Sequence, residues 1–529
     1  MGVMHLRSSL AAATLMLVAL GACGDDSAAG GAGTGGTGGE GAGVGAGGSI
    51  EPPPVPQACE APIDVVNVED PTTTVGSGPG TCDEAALDAA LAAGGVIVFD
   101  CGPEPTTLTL TSPKVITQTT IVDGGGLVTL SGGGATRIFL VETEVDLTVQ
   151  NITLADARVN GPRGDGPGPD NSGAAIFRHS SSRLHVVNAT FSNNHTTETG
   201  ADIGGGAIYS YGGDTVIAGS TFDGNSGASG GAIGNLRSNL AIYNSSFANN
   251  LAIDGNGGAI ALDGLNPDQG KVFTLCGVIA TNNRALHEGG AVFRYGYPDE
   301  SSVIDFTTLD GNFVDDPVGS SHAGGLYHHT DTPGVMPLFM RNSTVSNNVS
   351  ATGAGGLFFF NSPVELTNVT VAGNVALGSL AGGIAASGVT GTLKNCTIAD
   401  NHADDSDSFA GGIIGASGLT LINTIVANNT AGNEYNPVSC TETAASGSNN
   451  LQFPAQQGSG QDDPPCVAGV VFADPLLGPL ADNGGPTMTM ALLPGSPAIG
   501  AGTDCPETDQ RGVARAGGCD IGAFQHDPR

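Results

Sequence analysis

Basic residues are scarce in this chain: 16 Lys and Arg stand against 51 Asp and Glu, a formal net charge of -35. That balance excludes a nucleic-acid partner, which needs a basic surface to displace counterions. It also disfavours an acidic polyuronate, because anion would meet anion unless calcium bridged them. Leucine is sparse, and the middle of the chain shows no helical periodicity of apolar residues. After Leu10–Leu20 there is no second apolar run long enough to cross a bilayer. A lipid at the N-terminal end, rather than a C-terminal barrel, is therefore the expected anchor.

What is present is glycine, 86 residues of it, and a repeat. An Asn-bearing turn is followed by a Gly-Gly-small-aliphatic step about every 29 residues. Phe191–Asn194 leads to Gly205–Ile208, Phe222–Asn225 to Gly230–Ile233, and Phe247–Asn250 to Gly257–Ile260. Looser copies place the turn Asn at Asn282, Asn312, Asn348, Asn374, Asn401 and Asn428. Such a period marks one supersecondary unit that cannot bury its apolar face alone and stacks on its copies.

Each unit holds short β-branched or aromatic runs, such as Asp214–Phe222, Val364–Val371 and Leu419–Ile425. Asn tolerates the left-handed conformation of a tight turn. Copies stacked about 4.8 Å apart would also let its side-chain amides form a ladder. A leucine-rich repeat would need several Leu per unit, and propeller blades run roughly 40 residues or more. The pattern predicts an all-β parallel β-helix.

The F-x-x-N and G-G-A-[ILV] strings resemble the repeat of chlamydial polymorphic outer-membrane proteins. From Asp64 to Gln525 the chain resembles right-handed parallel β-helix surface proteins of the pectin-lyase-like superfamily. Its tail strings are similar to the group carrying a choice-of-anchor Q domain: Asp482-Asn483-Gly484-Gly485-Pro486-Thr487, Pro494-Gly495-Ser496-Pro497-Ala498, Asp509-Gln510-Arg511-Gly512 and Cys519-Asp520-Ile521-Gly522-Ala523-Phe524. The resemblance implies a right-handed coil; its motifs speak for fold and say little of chemistry.

The ends add detail. His5 and Arg7 before Leu10–Leu20 read as an export signal, the run being too short to span a bilayer. Leu20-Gly21-Ala22-Cys23 is similar to a bacterial lipobox, which implies lipidation of Cys23. Gly24–Gly48 is a flexible tether whose roughly 25 residues average about 25–30 Å. Thr81-Cys82-Asp83-Glu84 has capping-box spacing, so a short helix is expected to plug the N-terminal end before a first strand at Val96–Asp100. The expected organisation is signal 1–22, tether 23–57, β-helix with its plug 58–430, and cap 431–529.

Disulfides suit an exported protein. Cys82 with Cys101, Cys440 with Cys466 and Cys505 with Cys519 are the candidate pairs. Cys276 and Cys396 lie four coils apart and cannot join each other, so both are expected as buried thiols. Cys59 has no evident partner. In the tail, Arg511 is expected to pair with a carboxylate, with Asp520 the candidate.

Catalytic templates on this scaffold fit poorly. A lyase needs a gathered base, yet Arg237, Lys271, Arg284, Arg294, Arg341 and Lys394 are scattered. A polygalacturonase-type hydrolase needs paired carboxylates with Gly-His-Gly and Arg-Ile-Lys strings. Asp315-Asp316 and Asp404-Asp405 supply Asp pairs, but neither string occurs. His322, His328, His329 and Asp331 share one coil, with His287 in the coil before. Adjacent strand residues face opposite ways, so His328 and His329 cannot both point into one cavity, and these are expected as surface histidines. Acid-rich loops at Asp400–Asp407 and Asp299-Glu300 are candidates for structural calcium, although no ligand set can be named and no other cofactor is indicated.

The expected function is a binding or adhesion module, lipid-anchored at the cell surface or outer membrane, without a catalytic residue. Its partner would be an extracellular carbohydrate or protein, met by the long inserts Asn194–Gly205, Asn312–Gly324 and Asn401–Gly411. The alternative is a polysaccharide lyase or glycoside hydrolase acting on acidic polysaccharide.

Overall fold

A computed structural model describes Pro54 and residues 57–161, 166–200, 202–267, 270–316, 321–378, 380–515 and 518–527. The chain divides into Met1–Ile50 and Glu51–Arg529, and all described residues belong to the second unit. The signal, Cys23 and nearly all of the tether lie outside the described residues.

Strands in register form a parallel β-helix of about thirteen turns. One coil runs Ile208–Tyr211, Asp214–Ala218, Thr221–Asp223 and Ser226–Gly227, and each strand pairs in parallel with its copy in the next coil. Three parallel sheets result among the described residues, of 26, 11 and 10 strands, the widest taking two strands per coil.

Sequence alternation decides what points inward. Phe191, Phe222 and Phe247 are fully buried and stack with centroids 4.6 Å apart. Each such ring contributes about 2–3 kcal/mol by burial alone. The Gly-Gly step has two separate causes. Gly205, Gly230 and Gly257 adopt φ near +60 to +67°, and a Cβ on Gly231 or Gly258 would sit 2.1 Å from the carbonyl stacked above it.

The buried amide ladder runs through Asn194, Asn225, Asn250, Asn283, Asn312, Asn348, Asn374, Asn401 and Asn429, each Nδ2 donating to the next Oδ1 at 2.9 Å. Two expected members are thus displaced by one residue. Asn282 and Asn428 take left-handed φ of 53° and 55° just before the true rungs. The cause is register: Ala280 and Val426, not Ile279 and Ile425, occupy the inner position of Phe247 and Ile398.

At the N-terminal end, α1 (Glu84–Ala93) turns Leu87, Ala90 and Leu91 inward. Asp83, not Thr81, is its N-cap and accepts from the Ala86 amide. Glu84 is drawn instead to Lys114 Nζ at 2.6 Å, so no reciprocal capping box closes. The stack also starts earlier than Val96, because Thr73–Val75 pairs with Gly95–Phe99.

The C-terminal region departs further from expectation. Rungs continue past residue 430: Ser446–Ser448, Leu451–Phe453 and Val471–Phe472 extend the widest sheet. Residues 474–527 run back along the side of earlier rungs. Asn423 binds the Thr503 carbonyl, Ala523 N donates to Thr397 Oγ1, Thr370 donates to Gln510, and Thr344 donates to the Met488 carbonyl. Arg511 pairs with Asp509 at 2.7 Å and lies 3.7 Å over Phe524, whereas Asp520 accepts backbone amides of Gly500 and His526. Asp509 wins because its own turn already aims it at the Arg511 and Val513 amides.

Disulfides join Cys82–Cys101, Cys440–Cys466, Cys505–Cys519 and Cys59–Cys276. The last corrects the expectation of a buried Cys276 thiol. An N-terminal arm folds back across the coils, with Ala58 and Cys59 amides donating to Asn244 and Val66 to Gln150. Cys396 remains a buried thiol.

Candidate functional site: an aromatic, histidine and carboxylate face

The 11-stranded sheet includes Ile260–Asp263, Val292–Tyr295, Leu326–His329 and Leu357–Phe360 on consecutive coils. Strand alternation sends the first and third residues inward and the second and fourth outward. Register then builds two outward columns, Phe293–Tyr327–Phe358 and Tyr295–His329–Phe360, with Asp263 on the rung before Tyr295.

The two columns differ in ring geometry. Phe293 and Tyr327 stack at 5.6 Å and Tyr327 and Phe358 at 5.2 Å, so these faces cover one another. Tyr327 is accordingly only 5% exposed. In the second column Tyr295 meets His329 at 82° and His329 meets Phe360 at 77°. Tyr297 stands at 80° to Tyr295. In a perpendicular pair the ring presenting its edge keeps both faces out of that contact, and Tyr295 and Tyr297 stay partly exposed.

Carboxylates border these rings. Tyr295 donates to Asp331 Oδ2 at 2.6 Å, and His329 Nε2 lies 3.2 Å from Asp331 Oδ1. Tyr327 and His329 Nδ1 are 3.2 Å apart. The Tyr297 hydroxyl bonds to Asp263, whose carboxyl is nevertheless pushed up to about 6 by burial and then by the charge of Asp202. Burial lowers the His329 pKa, against the opposing pull of Asp331 and Glu288. His322 lies 4.6 Å from the Phe358 ring and 3.7 Å from Glu288 Oε1. Asp263 Oδ1 and His322 Nδ1 are buried atoms without a hydrogen-bond partner, so polar capacity is left unspent beside the rings.

The residues singled out from sequence divide sharply. His329, His322 and Asp331 belong to this face. His328 does not: it is fully buried between Ser302 and Ser362 at 3.0 and 3.1 Å, a correction to its expected surface position. His287 binds Asp316 at 3.1 Å and Asp315 pairs with Arg284, so that Asp pair is engaged in local ion pairs. Asp404 lies 3.1 Å from His402, and Asp405 accepts from Ser406 and Asp407 within its turn. Glu300 is buried against Arg294 at 2.5 Å, which removes both from any exposed calcium loop or basic groove. Among the described residues no group of three or more His, Cys, Asp or Glu side chains is arranged to hold a metal ion.

The aromatic columns were missed as a unit although their signal is present. Val292-Phe293-Arg294-Tyr295, Leu326-Tyr327-His328-His329 and Leu357-Phe358-Phe359-Phe360 each follow the Gly-Gly step, with rings at the two outward positions.

No family model and no curated protein sequence matches the chain. Two solved structures are similar to it. One is PfbA, a surface adhesin of Streptococcus pneumoniae, at 13% identity and TM-score 0.35, covering 69% of this chain and 91% of that one. The other is tailspike protein 3 of bacteriophage CBA120, at 10% identity and TM-score 0.31, covering 75% and 60%. The fold itself rests on the strand pairing described above.

Proposed function

We propose that this is an exported surface protein that binds an extracellular ligand through the aromatic, histidine and carboxylate face. The single observation behind the reading is that face: outward rings and carboxylates gathered on three adjacent rungs of a rigid scaffold. Four disulfides favour an oxidising compartment outside the cytoplasm. The adhesin and tailspike similarities add nothing at their low scores. Within this reading Cys23 carries the lipid anchor, and the chain groups with pectin-lyase-like surface proteins of choice-of-anchor Q type. Catalysis is the lesser reading, since Arg178 and Arg294 are fully buried and offer no base to a substrate.

A carbohydrate-array and whole-cell binding screen of the purified full chain tests the proposal. Tyr295→Ala is expected to lower binding about tenfold or more without changing the melting temperature. Unchanged binding would remove the face from the function. Cleavage of pectic or algal polysaccharide by the same protein would replace binding with catalysis. For the anchor, palmitate labelling should be present in wild type and absent in Cys23→Ala; label on both refutes lipidation of that residue.

A further inference from the structure

Resting on that reading, we infer that the face takes a saccharide bearing primary amines, an amino-sugar polymer with free rather than acetylated nitrogens. Three observations converge on this class.

Charge comes first. Asp331 and Glu288 border the rings, Asp263 beside them favours its neutral form below about pH 6, and the chain as a whole is strongly acidic. Of the cations nearby, Arg294 is sealed inside on Glu300, burial lowers the His329 pKa, and the exposed Arg237 acts on the Tyr297 end of the face. An anionic glycan meets repulsion here, whereas an ammonium group finds counter-charges.

Ring geometry comes second. Tyr295, Tyr297 and His329 meet at right angles, unlike the flat stack of Phe293, Tyr327 and Phe358. Perpendicular rings beside carboxylates offer a cation π-faces and negative oxygens together. Asp331 accepts from Tyr295, and Asp263 from Tyr297, which places one carboxylate on each tyrosine.

The third is what the face withholds. Val292–Tyr295 pairs on both sides, with Ile260–Asp263 and Leu326–His329, so no strand edge is open for a peptide to extend. Sugar hydroxyls and amines can use the carboxylate oxygens instead, those of the exposed Asp331 first. Rungs repeat about every 4.8 Å, close to the advance per unit of an extended β-linked sugar chain.

The test is calorimetry of the purified full chain with three probes at mildly acidic pH: a glucosamine hexamer, an N-acetylglucosamine hexamer and an oligogalacturonate. The glucosamine hexamer should bind about tenfold or more tightly than the acetylated one, with affinity falling as salt rises. Oligogalacturonate should not bind. Asp331→Asn should lower glucosamine binding about tenfold, a larger loss than for the acetylated hexamer, so that the preference between the two probes narrows. Equal or better binding of the acetylated or uronate probe overturns the inference. If no saccharide binds but Tyr295→Ala still weakens adhesion to whole cells, the amino-sugar class falls and the binding reading survives. If Tyr295→Ala leaves adhesion intact as well, both fall.

Discussion

The inner amide ladder and the outer aromatic columns share one rung spacing and differ in everything else. Nine asparagines form the ladder without a gap, each donating at 2.9 Å to the next and buried from water. The aromatic columns occupy three consecutive rungs, bounded by Ala261 and Asp263 before and by Ala385 and Ser387 after, and rings at the same outward position recur at Phe177 and Tyr209. A residue present in every coil builds the coil. One confined to a few coils, outward-facing and with unspent hydrogen-bonding capacity, is free to serve a ligand.

The sharpest way to break this contrast is Asn312→Ala. It strips Asn283 of its acceptor and the Ala280 carbonyl of its donor inside the stack. The expected loss is about 3 kcal/mol or more in urea unfolding, with two or more buried groups left unsatisfied. Asn282→Ala, one residue before the rung in its own coil, should cost about 1 kcal/mol, the penalty of holding a left-handed residue without the side-chain amide that eases that conformation. Equal costs at the two positions would erase the assigned register.

Removing the Cys59–Cys276 bridge by a double Ser substitution comes next. It should lower stability by about 2–4 kcal/mol, because the bridge closes a very long loop. Adhesion per folded molecule should be unaffected, since neither cysteine belongs to the aromatic face. A parallel loss of binding would join the arm to the site.

A smaller effect is a pH dependence centred on Asp263. Its folded pKa is raised to about 6, so the fold prefers the neutral acid. The resulting stability is fully present below the unfolded value near 3.9 and is lost as pH rises through about 6. Asp263→Asn should therefore gain on wild type between about pH 4 and 7 in thermal melts; a constant difference across that window counts against the burial of this carboxyl. The least visible effect concerns Cys396. Burial pushes its thiol up to about 12, and alkylating reagents should leave it untouched until the chain unfolds.

Much of the fold was legible because a solenoid writes its architecture into its period. The slip at Asn282 and Asn428 has a local cause: each belongs to an Asn doublet, behind the apolar pairs Ile279-Ala280 and Ile425-Val426. Only strand pairing says which member of each pair points in. The Cys59–Cys276 bridge and the lateral course of residues 474–527 were hidden for another reason. Both join segments more than a hundred residues apart, and no periodicity encodes such contacts. The candidate face was half visible. Opposite facing of His328 and His329 follows from strand geometry, but the rings around His329 come from neighbouring coils and need the register to assemble.

The lateral seating of residues 474–527 has a consequence for biogenesis. Coils around Asn342, Asn368 and Asn395 are synthesised more than a hundred residues before the segment that roofs them, through Thr487, Thr508 and Asp520. Winding can advance rung by rung as the polypeptide emerges, yet the later coils stay unroofed until this late segment doubles back. Maturation of this molecule thus finishes on the flank of its later coils, where Thr503 also meets Asn423 and Asn449.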